Sequence, residues 1–223
     1  MIANAMVLFL ISVVSAVSSS TWEMEVVEDG KLFWDMTDRS MCIDSNGNLH
    51  MAYGEDHLYY AYHDGSGWIY EVADSSFDVG GFAAITLDAN GNPHISYIDW
   101  SEINLKYAYR DVAGWHAETA DETGFAGMFT SIALDVESQP HISHHSFDIS
   151  TDLRYTFKDD SGWHTEIVDD VGDAGKYSSL ALDRYGNAHI SYLSIVWCGS
   201  LKYAFRDQNG WITSVIDASP PET

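Results

Sequence analysis

MCIDSNGNLHMAY (41–53), ITLDANGNPHISY (85–97), IALDVESQPHISH (132–144) and LALDRYGNAHISY (180–192) are one segment written four times. A second segment follows each copy: LYYAYHDGSGW (58–68), LKYAYRDVAGW (105–115), LRYTFKDDSGW (153–163) and LKYAFRDQNGW (201–211). Trp22, Trp68, Trp115, Trp163 and Trp211 mark the period, with steps of 46, 47, 48 and 48 residues. A fixed period in the range of ~20–50 residues is the signature of an architecture in which each unit packs on its neighbours.

Each unit holds four short runs with two-residue alternation or continuous apolar character, as strands have. Their best copies are SIALD (a), PHISY (b), LKYAYRD (c) and GWHTEIVD (d). Asn46-Gly47 and Asn90-Gly91 supply a tight a–b turn, and Asp111 to Gly114 the c–d turn. Four antiparallel strands in about 45 residues make one blade, so the sequence predicts an all-β propeller of four-stranded antiparallel blades. A stacked β-solenoid fits less well, because its coils are usually shorter. Four repeats of about 47 residues are read at 40–83, 84–130, 131–178 and 179–217, with a tail at 218–223. Ahead of them, Trp22 to Asp29 (WEMEVVED) matches strand d, so 21–39 reads as an orphan outer strand and crossover. The last repeat already owns a strand d. The orphan therefore belongs to a fifth blade lacking three strands in a truncated or larger propeller, to a four-bladed ring with a spare strand, or to an open edge completed by another copy.

The N-terminus is a separate matter. Met1 to Ser20 carries no charged side chain, and Met6 to Val17 is an apolar run. It is shorter than the ~20 residues of a spanning helix, and Ser15, Ala16 and Ser18 suit signal-peptidase cleavage. Residues 1–20 thus read as an export signal, which places the chain outside the cell or at its surface. No Lys or Arg precedes Lys31, which leaves an uncleaved anchor or a misassigned start as alternatives.

Acidic side chains outnumber basic ones 34 to 10, giving a net charge of −24 and a pI near 4.3. Nucleic acid is excluded as a partner, since it demands a basic stripe, and an anionic membrane surface would repel the chain. At 46% hydrophobic residues the sequence is too apolar for the acidic disordered class. Cys42 and Cys198 are too few for a disulfide scaffold; one bridge and two free thiols both remain open.

The a–b and c–d turns fall on one face and repeat closely, as scaffold does. The b–c loops and d–a crossovers fall on the other and vary: from the strand-b His to the strand-c Leu the distance is 8, 11, 12 and 12 residues. Candidate ligand contacts are therefore Asp99, Trp100, His144, His145 and Trp197, with crossover acids Asp74, Asp121, Asp169 and Asp173 nearby. Aromatic rings beside carboxylates suit sugars, whose apolar faces stack and whose hydroxyls donate. The plainer alternative is that the tryptophans cover the rim and the acids are solvated. Trp22, Trp68, Trp115, Trp163 and Trp211, with His50, His94, His141 and His189, recur in register and read as structural. The four histidines sit in four different blades and cannot converge on one metal. Asp88, Asn90 and Asn92 have the oxygen spacing of a calcium loop, but the equivalent turns lose it, so no cofactor is assigned and calcium stays a minor alternative. His144 and His145 are the one unrepeated histidine pair. Neighbours in a strand point to opposite faces, so joint metal binding would require them to lie in a loop.

The c–d turns Asp111-Val-Ala-Gly114-Trp115 and Asp159-Asp-Ser-Gly162-Trp163 resemble a relaxed Asp-box, the turn of sialidase-type propellers. The alternation of NPHISY, LKYAYRD and GW resembles fucose-binding and tachylectin-like propeller lectins. Sialidase resemblance would imply an arginine triad, yet of Arg39, Arg110, Arg154, Arg184 and Arg206 two occupy equivalent repeat positions and no triad assembles, so no catalytic residue is assigned. The expectation is an exported, non-catalytic binding or scaffold propeller that takes a glycan or cell-surface polymer on the variable-loop face. The alternatives are a glycosidase- or sialidase-like hydrolase, which needs two carboxylates ~5–9.5 Å apart, and a structural segment of a larger surface protein.

Overall fold

The computed structural model describes residues 36–37, 39–147, 151–195 and 199–218. The chain divides into one unit at Met1–Lys31 and a second at Leu32–Thr223, and every described residue belongs to the second. The export signal, the orphan strand at 22–29, Trp197 and Cys198 lie outside the described residues.

Sixteen strands form four sheets. Blade 1 is β1 (Met41–Ile43), β2 (Leu49–Gly54), β3 (Leu58–His63) and β4 (Trp68–Asp74). Blade 2 is β5 (Val79–Leu87), β6 (Pro93–Asp99), β7 (Asn104–Asp111) and β8 (Gly114–Asp121). Blade 3 is β9 (Met128–Leu134), β10 (Pro140–His145), β11 (Leu153–Asp159) and β12 (Gly162–Asp169). Blade 4 is β13 (Asp173–Leu182), β14 (Ala188–Ile195), β15 (Ser200–Asp207) and β16 (Gly210–Ala218). Each is an antiparallel meander in sequence order, and no helix occurs among the described residues. The sheets are the blades of a β-propeller. The inner strands begin earlier than the sequence reading placed them. Val79–Ala83, Met128–Thr130 and Asp173–Ser178, read as the ends of preceding repeats, pair with the following blade through bulges that simple alternation does not reveal.

Turn chemistry sets the hairpins. In the a–b turns the carboxylate of Asp44 accepts the backbone N–H groups of Asn46 and Asn48, both at 2.8 Å, and Asp88 and Asp183 do the same. In the c–d turns Asp64, Asp111, Asp159 and Asp207 each accept the N–H two residues on.

Apolar residues fill the spaces between blades. Leu58, Leu105 and Leu153, the first apolar residue of strand c in blades 1 to 3, are all 0% exposed. Ala73, Ala120 and Val168 of strand d join them in three successive inter-blade cores. Burying one such leucine is worth ~1.5–3 kcal/mol, so inter-blade packing and not sheet propensity carries the fold.

A polar clamp closes each junction on the outside, and it accounts for the tryptophan period. Trp115 Nε1 donates to Glu71 of the preceding blade at 2.6 Å, Trp163 to Glu118 at 3.0 Å and Trp211 to Glu166 at 2.8 Å. A cation from the same blade as the tryptophan meets the same carboxylate: Arg110 on Glu71, Lys158 on Glu118, Arg206 on Glu166. Each indole also stands edge-on to a tyrosine of the preceding blade, Tyr60, Tyr107 or Tyr155, with ring centres 5.1–5.4 Å apart. Burial alone would raise the Glu118 and Glu166 carboxyls, but these hydrogen bonds outweigh it and hold both below the usual range.

Candidate functional site

The recurring histidines bind within their own blades. Nδ1 of His50, His94, His141 and His189 lies 2.5–2.6 Å from the hydroxyl of Tyr60, Tyr107, Tyr155 and Tyr203, across the b–c strand pair. Burial lowers the pKa of His50, His94 and His141, which favours neutral rings in these bonds. The Asp88 turn is equally self-contained, because its carboxylate is taken by Asn90 N, Asn92 N and Asn92 Nδ2. Among the described residues no three His, Cys, Asp or Glu side chains gather as a metal site.

The acids at the ends of strand d are not solvated ligand contacts. Asp74, Asp121 and Asp169 are buried, and each meets side chains of the next blade. Tyr97 donates to Asp74 at 2.6 Å with Lys106 at 3.0 Å, and Tyr192 donates to Asp169 together with Lys202. At the middle junction His144 stands where the others have tyrosine. Its Nε2 is 3.6 Å from Asp121 and 2.9 Å from the Thr156 hydroxyl, with Arg154 3.3 Å from the same aspartate.

Three of the candidate ligand contacts are therefore internal. His144 and His145 lie in β10 and not in a loop, and both are 0% exposed. His144 points back to Asp121 of blade 2, whereas His145 points forward, its Nδ1–H donating to the Ala174 carbonyl (2.8 Å) and its Nε2 standing 3.5 Å from Asp173. The pair is split across the sheet, as strand geometry requires. Asp99 is buried at the end of β6, where its carboxylate accepts the N–H groups of Ser101 and Glu102. Trp100 is half-buried, its ring 6.0 Å from Phe82 and its Nε1 against Gly81, where an added Cβ would come within 2.7 Å of it.

Phe82 leads to the feature that repeat-reading missed. Gly80-Gly81-Phe82, Gly127-Met128-Phe129 and Gly175-Lys176-Tyr177 occupy one register position at the start of the inner strands. The three glycines share φ +105°, and a Cβ on them would lie about 3 Å from the backbone of Leu58, Leu105 or Leu153 in the preceding blade. The aromatics that follow are also left-handed, with φ of 51°, 51° and 53°. Such conformations cost ~1–3 kcal/mol each in a non-glycine residue and collect at functional sites. Hydroxyls of the next blade hold them in place: Thr130 Oγ1 donates to the Phe82 carbonyl at 2.8 Å and Ser178 Oγ to that of Phe129 at 3.1 Å.

The three rings converge. Phe82 and Phe129 lie 4.6 Å apart and Phe129 and Tyr177 4.7 Å apart, between centroids. With Thr37, Arg39 and Thr130 they line a cavity of about 450 Å³. It opens at the end of the blades where the d–a crossovers enter, the face that also exposes Phe77, Phe125 and Phe147. The recurring Gly-x-Phe/Tyr triplet, each six residues before a turn aspartate, was the signal available in the sequence.

Comparison with known proteins yields the fold and no family. No family model and no curated protein matches the chain. Solved structures do match. A protein of unknown function from Dyadobacter fermentans superposes with TM-score 0.57 at 13% identity, over 88% of this chain and 61% of that one. An ulvan lyase, a polysaccharide lyase bound to a GlcA(1-4)Rha3S unit, gives 0.56 at 12% identity, over 78% and 56%. The SapL1 lectin in complex with alpha methyl fucoside gives 0.52 at 17% identity, over 81% and 65%. These likenesses speak for the fold alone. The chain spans roughly 56–65% of the length of these three.

Proposed function

We propose that this protein is an exported carbohydrate-binding propeller whose ligand enters the cavity lined by Phe82, Phe129 and Tyr177. The strained aromatic triad carries the reading. Aromatic residues are set in an unfavourable backbone conformation at three equivalent positions. Tyr177 is 69% exposed, which leaves its ring accessible to a pyranose, and Thr37 and Arg39 line the same cavity, held by the Ala83 carbonyl and the Ser131 hydroxyl. Lectins and a polysaccharide lyase share the architecture, which makes sugar a reasonable ligand class without defining which sugar.

Glycan-array binding of the full chain, followed by calorimetry on the best ligand, tests this reading. Tyr177→Ala and Phe129→Ala are each expected to weaken binding by about 0.5–1.5 kcal/mol, roughly 2- to 12-fold. Absence of binding to any glycan, or affinity indifferent to both changes, refutes it.

A further inference from the structure

Phe125 holds a backbone conformation whose strain is not offset by burial of its ring. Its φ is 42°, in the left-handed region that bulky side chains avoid, yet the residue is 44% exposed. The equivalent positions, two residues before the recurring glycine of φ +105°, are Asp78, with φ 64°, and Asp173. Aspartate tolerates the left-handed region because its short polar side chain bonds locally, and phenylalanine has no such compensation. Of these three crossovers, the one between blades 2 and 3 alone carries an aromatic residue at this place.

A second exposed ring accompanies it. Phe147, just past the end of β10, is 55% exposed, and its N–H donates to the Phe125 carbonyl at 3.0 Å. Both residues lie on the crossover face, onto which the cavity opens. Phe147 is linked to the cavity through the His145 ring, which lies 6.0 Å from Phe129 and 6.3 Å from Phe147, so the two phenylalanine centroids are at most about 12 Å apart. That span is within reach of one oligosaccharide. His145 is 0% exposed and serves as filler between the two rings, not as a contact. Phe129 belongs to the inner strand of blade 3 and Phe147 follows the next strand out, so the row runs outward from the cavity over this blade. Glu122, exposed on the same crossover, adds a carboxylate that accepts hydroxyl hydrogens. A single exposed phenylalanine needs no explanation, but a strained one bonded to a second beside an aromatic cavity has the make-up of a binding surface.

We propose that Phe125 and Phe147 form a second sugar subsite, and that the ligand is a glycan chain lying from the cavity outward over blade 3. This rests on the reading of the cavity as a sugar site and extends it from one sugar to a chain. Successive sugars stack on successive rings, the first at Phe129 and Tyr177 and a later one at Phe125 and Phe147.

Calorimetry on the full chain tests it, with two probes: the non-reducing-end monosaccharide and the non-reducing-end tetrasaccharide of the best-binding array glycan. The tetrasaccharide is expected to bind roughly 5-fold or more tightly than the monosaccharide. Phe147→Ala and Phe125→Asp should each lower that ratio by about 2-fold or more, whereas Tyr177→Ala should weaken both sugars alike and leave the ratio standing. Phe125→Asp installs the residue of the equivalent positions, so its circular dichroism should be unchanged and its melting temperature should not fall. Val136→Ala, at an 89% exposed turn on the opposite face, should leave the ratio as it is. Equal affinity for the two probes, or a ratio unchanged in both phenylalanine variants, overturns the second subsite while the Tyr177→Ala loss still upholds the cavity. Absence of binding to any glycan overturns both.

Discussion

Replacing His144, Arg154 and Thr156 by Tyr, Lys and Ala should remove much of the protein's sensitivity to mild acid. The three replacements copy the blade 4 set Tyr192, Lys202 and Ala204, which occupies the same positions in the same strand pairing. His144 is wholly buried, and burial pushes its pKa down from 6.5 to about 4; the neighbouring Arg154 adds to this and Asp121 opposes it. A histidine whose pKa is lower in the folded chain takes up a proton on unfolding. Its contribution is complete above pH 6.5 and is lost as pH falls toward 4. The 2.5-unit gap between 6.5 and about 4 corresponds to roughly 3 kcal/mol at ~1.4 kcal/mol per unit, of which about 2 kcal/mol falls between pH 7 and 5. Urea unfolding of both proteins at pH 7 and pH 5 gives the test. Other buried histidines lower the stability of both alike, so the quantity to read is the difference between their losses. The wild type should lose about 2 kcal/mol more than the triple variant. Parallel losses would show that His144 does not titrate as its surroundings dictate.

Other expectations follow from equivalent positions and from the strained triad. Leu153→Ala should cost ~2–5 kcal/mol in a thermal or urea melt, and Leu201→Ala in dilute solution within about 1 kcal/mol, since one is buried between blades and the other is half-exposed. Equal losses would contradict the packing described. Tyr177→Gly should raise stability by roughly 1 kcal/mol while abolishing the ring contact, so that melting temperature and glycan affinity move in opposite directions. A fall in melting temperature would mean that the φ of +53° carries no strain. Gly127→Ala should destabilise by more than about 1 kcal/mol, because φ is +105° and the new Cβ would lie 3.1 Å from Leu105 Cα; an unchanged urea midpoint would rule this out.

Repetition made the architecture legible. A tryptophan every 46–48 residues, flanked by Asp-x-x-Gly, already implied a fixed partner for the indole, although not that it belonged to the preceding blade. That partner, a glutamate three residues after the previous tryptophan, is itself periodic and could have been found by the same alignment. The site was less legible because burial does not follow from variability. His144 departs from the repeat and so resembles a ligand contact, yet it fills a junction between two sheets. Asp99 lies in a variable stretch and serves its own turn. Conversely Phe82, Phe129 and Tyr177 recur in register and therefore pass for scaffold. Only their φ values and the convergence of their rings distinguish them, and neither is written in hydrophobic alternation.

The polarity of the clamps has a consequence for how such a chain comes into being. Each blade holds out a carboxylate toward its successor and reaches back with an indole and a cation, over a sequence separation of 44 or 45 residues at every junction. During synthesis a finished blade waits for one more repeat and for nothing further along the chain. Assembly can thus advance like a ratchet, one repeat at a time, with loop-closure entropy never growing as the ring lengthens. The same locality allows a whole repeat to be duplicated or deleted by recombination with little rewriting of the junctions that remain.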